Sequence, residues 1–121
     1  MWVLASIENL GFDLKGDFAD FFIPEDESYV ILIISKMKNE GSFNFFGKLD
    51  LFVSFKNREG NWTKPHNLGK EINGLSEWSW GPYVTNDNEY LFFSSWADPV
   101  GTYMIRFEEL LINLKEQSLT P

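Results

Sequence analysis

Cysteine is absent from the 121-residue chain. A disulfide framework and a thiolate metal site are thereby excluded, and the absence suits a reducing and an oxidising compartment equally. Histidine occurs once, as His66 between Pro65 and Asn67. A lone imidazole without a paired cysteine or carboxylate motif lacks the orienting partner that a general base needs, so His66 reads as a loop residue. Positive charge is scarce: 10 Lys and Arg stand against 18 Asp and Glu, a formal charge of −8. Phosphates would be repelled, which excludes nucleic acid as an expected partner. The longest apolar run, residues 29–34, is far too short to span a bilayer as a helix, and no membrane span is expected. Met1-Trp2-Val3-Leu4-Ala5 has no basic n-region, so no signal peptide is read there. Phosphate loops, zinc spacings and calcium loops are missing too, and no cofactor or metal is expected.

What the chain does have is aromatic side chains: 12 Phe, 5 Trp and 4 Tyr, within a hydrophobic content of 44 %. That is enough to build a packed core, and the bias favours sheet over helix. The length suits a single domain. Residues 83–95, Tyr-Val-Thr-Asn-Asp-Asn-Glu-Tyr-Leu-Phe-Phe-Ser-Ser, read as strand, tight turn and strand. Residues 22–34 repeat the pattern at an offset of 61 (87 minus 26), with Asp26 and Asp87 in the turns and Tyr29 and Tyr90 opening the second strands. Asn9-Leu10-Gly11 recurs as Asn67-Leu68-Gly69 at an offset of 58 (67 minus 9). Two echoes at nearly equal offsets point to a repeat architecture of blades, solenoids or arrays.

Taken in order, the chain predicts strands over residues 2–6, 18–23, 29–35, 49–55, 61–64, 80–84, 89–95 and 102–107. Residues 29–35 are apolar without alternation, which implies burial on both faces. Residues 36–48, with Gly41 and Gly47, form a long loop suited to function. Asn57-Arg58-Glu59-Gly60 makes a hairpin turn. Residues 70–79 are expected to be a connecting loop, and 96–101 a shorter one. Residues 102–107 align with 51–56 at an offset of 51 (102 minus 51). Phe107, Leu110, Leu111 and Leu114 follow helical spacing, so the only expected helix covers residues 107–115.

Gly60-Asn61-Trp62-Thr63-Lys64-Pro65-His66-Asn67-Leu68-Gly69 resembles the Gly-x-Trp-x-x-Pro-x-Asn-Leu-Gly segment of TolB-type, WD40-like β-propeller repeats. Asp26-Glu27-Ser28-Tyr29 is similar to the turn of that family, with Glu25 where Pro is usual, and Pro82-Tyr83-Val84 with Asp87 and Tyr90-Leu91-Phe92-Phe93-Ser94-Ser95 to its next copy. Asp50-Leu51-Phe52-Val53-Ser54 resembles the family's third strand, and Thr102-Tyr103-Met104-Ile105 is a weaker copy. The resemblance covers residues 7–115. It implies an all-β fold of antiparallel four-stranded blades in a partial propeller, with a short C-terminal helix. The first blade would span about residues 7–69, the second about 70–107 and the helix about 107–115. Family members are often bacterial envelope or secreted proteins that bind proteins or glycans, so the resemblance implies a periplasmic or envelope setting. Since propellers close with about 4–8 blades, a chain with just under two would expose blade faces, through which a homo-oligomer is expected.

Residues 54–62 partly resemble the Asp-box of sialidase propellers, but the Asp is missing and the spacing is two residues too long. Turn chemistry already explains Gly60, and packing explains Trp62. Asp26 and Asp87 occupy equivalent places in two repeats and read as turn-formers, so no catalytic residue is assigned. Exposed aromatics remain. Trp78 and Trp80 flank Ser79 and share a strand face, Trp96 follows a strand into a loop, and Phe43, Phe45 and Phe46 crowd the Gly-flanked loop. Packing between blades accounts for them as core. A contact surface accounts for them as ligand-binding residues, since aromatics dominate interface energetics and stack on sugars. The expected function is a non-catalytic binding or scaffold module for a protein or glycan. The alternative is a fragment of a propeller-containing glycosidase or peptidase whose catalytic residues lie outside this chain.

Overall fold

The computed structural model describes residues 17–36 and 48–120. The strand expected at 2–6, the Asn9-Leu10-Gly11 turn and residues 37–47 with Phe43, Phe45 and Phe46 lie outside the described residues. The described chain runs β1 (Asp17–Phe22), β2 (Tyr29–Lys36), β3 (Lys48–Phe55), β4 (His66–Asn67), α1 (Lys70–Asn73), β5 (Ser79–Val84), β6 (Tyr90–Ser95), β7 (Gly101–Arg106) and α2 (Glu108–Leu119). β1–β4 form one sheet in sequence order, β5–β7 form another, and every neighbouring pair is antiparallel. Among the described residues, a parallel bridge from Leu49 to Trp78 links the first sheet to the approach of the second.

The two sheets repeat one another in register. Phe22 pairs with Ile31, and 61 residues on (83 minus 22) Tyr83 pairs with Phe92. Each first pair carries an irregularity, between Phe18 and Phe21 and between Trp80 and Tyr83. Ile33 pairs with Leu51, and Ser94 with Thr102. The turns match as well. Asp26 accepts from the Ser28 N–H at 3.0 Å and the Ser28 hydroxyl at 2.7 Å. Asp87 accepts from the Glu89 N–H at 2.9 Å and the Thr85 hydroxyl at 2.7 Å. Each acid fixes a left-handed residue next to it, Glu27 at φ 55° and Asn88 at φ 62°. Both aspartates are turn-formers, as their repeated positions suggested.

Side chains alternate along a strand, so each sheet has two faces. One face of the first sheet presents Tyr29, Ile31, Ile33, Leu51, Val53 and Phe55 to Val84, Leu91 and Phe93 of the second. Leu111 and Leu114 of α2, with Phe107 just before its start, close this core, and Leu110 packs beside them. The helical spacing of these four residues is thus realised, although the helix runs on to Leu119. The opposite face of β2 buries Val30, Leu32 and Ile34, against which Ile23, Phe52 and Trp62 pack. The unbroken apolar run of β2 is accordingly buried on both sides. The outer face of the second sheet differs: Tyr83 is 54 % and Met104 57 % exposed, with Phe92 between them in register.

Three expectations require correction. The second sheet has three strands among the described residues, not four. After β7 the Phe107 N–H donates to the Glu89 carbonyl at 2.7 Å, and the following residues carry a helical rather than an alternating apolar pattern, so the chain leaves the sheet as α2. The fourth strand of the first sheet is His66–Asn67, beyond Pro65, rather than residues 61–64. The Thr63 hydroxyl replaces a main-chain acceptor by taking the Phe55 N–H at 3.0 Å, leaving Lys56–Trp62 as an isolated bridge. The preceding turn is a hairpin built on Asn57, whose side chain accepts from the Glu59 and Asn61 N–H groups. Finally, α2 is not alone. The segment read as a loop contains α1, which the Gly69 carbonyl starts by accepting from Ile72 and Asn73. Four residues are too few to show a helical period.

Candidate functional site: a tryptophan dish

Trp78, Trp80 and Trp96 come together with Leu49 around a cavity of about 270 Å³. Main-chain bonds hold its parts. Leu49 N–H donates to the Glu77 carbonyl at 2.8 Å, and Trp96 N–H to the Trp78 carbonyl at 3.0 Å. The Ser76 hydroxyl donates to the Trp78 carbonyl at 2.8 Å, accepts from the Trp78 N–H at 3.2 Å and lies 3.1 Å from the Ser95 hydroxyl. On the far side, the Tyr103 hydroxyl donates to the Pro99 carbonyl at 2.5 Å and braces the loop after Trp96. Trp78 and Trp96 meet with ring centroids 5.5 Å apart and planes inclined at 54°. Trp96 is 57 % exposed at the rim, whereas Trp80 leans on the main core.

The alternation of Trp78 and Trp80 about Ser79 therefore places both indoles at the same cavity, and Ser79 points the other way. Its hydroxyl is fully buried with no hydrogen-bond partner among the described residues. An orphaned buried hydroxyl costs roughly 1–3 kcal/mol. Ser79→Ala is expected to leave stability unchanged or raise it by up to about 1 kcal/mol. Urea denaturation of the variant checks this, and a clear loss would mean that the hydroxyl has a partner.

A larger cavity, about 440 Å³, lies between the two Asp turns and is lined in part by Phe22, Asp26, Tyr83, Thr85 and Asn88. Nothing in the sequence announced it, because it joins turns from two repeats. Its polar groups are largely engaged: the Tyr29 hydroxyl donates to Asn88 Oδ1 at 2.7 Å, and Asp26 is held by Ser28. The Ser28 hydroxyl and N–H keep the Asp26 carboxyl below the usual carboxylate range. The Thr85 hydroxyl and Glu89 N–H do the same for Asp87. Burial, with a smaller contribution from Asp26, raises the Tyr29 phenol above its ordinary value. Both aspartates are thus ionised acceptors serving their own turns, a poor state for a general acid.

His66 sits half-buried on β4, paired with Val53 in register. No group of three or more His, Asp or Glu side chains that could hold a metal occurs among the described residues, and no helix among them is long and apolar enough to cross a membrane.

A residue missed by sequence reading is Asn73, buried at 2 % exposure on α1. Its amide takes the Leu51 N–H at 2.8 Å and donates to the Leu51 carbonyl at 2.9 Å and to Asn67 Oδ1 at 2.8 Å. One side chain thereby acts as a strand partner for β3, the strand that carries Leu49 into the dish. No family model matches the chain, and comparison with curated proteins and with solved structures finds no match.

Proposed function

We propose that the chain is a non-catalytic binding module, built on two blade-like units of the TolB-type, WD40-like kind, and that the tryptophan dish contacts a protein ligand. The observation that carries the reading is the convergence of three indoles, from a strand and two loops, on one cavity. Tryptophan is enriched among the residues that dominate binding energy. The blade-like reading is supported by the register repeat and by two sheets packed with equivalent faces pointing the same way.

A protein ligand suits the dish better than a glycan. Among the described residues the lining side chains are Leu49 and the three tryptophans, with no carboxylate or amide to bond sugar hydroxyls. The 54° inclination of Trp78 to Trp96 makes a cleft rather than a flat stacking platform. Arrays of immobilised peptides and of glycans, probed with the chain and with Trp96→Ala, test the reading. Peptide binding should fall at least tenfold in the variant, a loss of about 1.4 kcal/mol, with an unchanged circular dichroism spectrum. Glycan binding with the same Trp96 dependence would replace the protein ligand. Turnover of chromogenic glycosides or peptides by the chain itself would overturn the non-catalytic reading.

A further inference from the structure

Resting on that reading, we infer that the dish takes the trimethylated ammonium group of a modified lysine presented by a partner protein. Three features of the site lead there. Indole is the best π-face for a cation, and three line this cavity. The rings of Trp78 and Trp96, in contact and inclined at 54°, present two differently angled faces to a compact group. At about 270 Å³ the cavity is at or below the small end of ligand pockets, which suits one side-chain head rather than a whole ligand.

The choice of cation follows from hydration. An unmodified lysine ammonium is a compact, strongly hydrated charge with three N–H donors. Among the described residues the lining side chains supply no acceptor to replace that water: Leu49 is apolar and indole N–H only donates. Burying such donors unpaired is costly. A trimethylated ammonium has no N–H, spreads its charge over methyl groups and sheds water easily. It keeps the attraction to the rings and avoids the penalty.

Charge selects the carrier. The chain bears −8 overall. Beside the dish, exposed Asp98 follows Trp96, while Asp50, next to Leu49, has Lys48 Nζ at 3.7 Å. A lysine in a basic segment is drawn to such a rim. A choline headgroup of lipid carries the same cation but brings a phosphate that the negative field repels.

The test uses the full chain, intrinsic tryptophan fluorescence and four probes. These are a short basic peptide bearing one trimethyl-lysine, the same peptide with unmodified lysine, the same peptide with the uncharged tert-butyl carbon isostere, and phosphocholine. The trimethyl-lysine peptide should bind at least about tenfold more tightly than the other three, a margin within reach of a desolvated cation–π contact. Trp96→Ala should abolish the margin and Trp96→Phe should keep part of it; Trp96 is exposed at the rim, so neither change threatens the core. Equal binding of the carbon isostere would show an apolar site and overturn the cation. Equal binding of unmodified lysine would overturn the methyl requirement, and preferred binding of phosphocholine would overturn the protein carrier. If none of the four binds while other array peptides still depend on Trp96, this inference fails and the binding-module reading stands. If no binding anywhere depends on Trp96, both fail.

Discussion

Asn73→Ala is expected to lower stability by about 1–3 kcal/mol, because it strands the main-chain N–H of a buried residue. Leu51 is fully buried; its N–H donates to the Asn73 amide, and its carbonyl accepts from both that amide and the Leu68 N–H at 3.0 Å. The truncation leaves the N–H without a partner while the carbonyl keeps the Leu68 N–H, and an unsatisfied buried group costs roughly 1–3 kcal/mol. Asn67 Oδ1 also loses the Asn73 donor, though it keeps the Gly69 N–H at 2.8 Å. Asn73→Asp separates the two roles: it retains an acceptor for the Leu51 N–H but replaces the donor with a charge at a 2 % exposed position. It should be at least as damaging as the alanine variant. Urea denaturation of both variants checks the order, and a loss below about 1 kcal/mol for Asn73→Ala, small for a buried network, would show that water satisfies Leu51.

Tyr29→Asp should unfold the chain, whereas Tyr90→Asp should shift its stability by no more than about 1 kcal/mol. The two tyrosines hold matched positions in the repeat, and sequence alone predicts that both substitutions unfold the protein. Their surroundings differ because each sheet's equivalent face points the same way. The Tyr29 face is covered by the second sheet, leaving Tyr29 2 % exposed beside Phe22 and Phe55, with ring centroids at 6.5 and 6.3 Å. An aspartate there is an unpaired buried charge, which a total stability of about 5–15 kcal/mol does not survive. The Tyr90 face is the outer one, half-exposed, and Tyr90 pairs in register with Arg106. An opposite charge across that pair adds roughly 0.2–1 kcal/mol, which offsets part of the lost packing. Thermal melts of the two variants decide it, and equal losses would mean that the outer face is covered in solution.

Much of the fold was legible because its signals are local and repeated. Asp26 and Asp87 mark two turns whose acids bond the next residues but one. The offsets of 61 and 51 reappear as strand register, since a one-residue slip would turn every side chain to the wrong face. What escaped notice was non-local or too short. Asn73 reads as a loop amide until α1 sets it against Leu51, 22 residues earlier. Of the six candidate aromatics, Trp78, Trp80 and Trp96 share one cavity, Phe43, Phe45 and Phe46 lie outside the described residues, and Leu49 was not foreseen. The alternation about Ser79 pairs Trp78 with Trp80, but only the bonds from Ser76 and the Trp78 carbonyl bring Trp96 beside them.

The two ends of the sheet pair are unlike, and this limits what copies of the chain can build. Head-to-tail growth, and with it a closed ring of copies, needs the outer face of one second sheet to meet the far face of the next first sheet. That far face holds Val30, Leu32 and Ile34 at 0 %, 4 % and 4 % exposure, already covered within the chain. Tyr83 and Met104 at the other end remain open. Copies that meet through Tyr83 and Met104 on both sides set like against like about a two-fold axis. Such a contact consumes the open end of both partners. A pair joined through this surface alone is therefore self-terminating, because the contact that forms it is the one that growth would need.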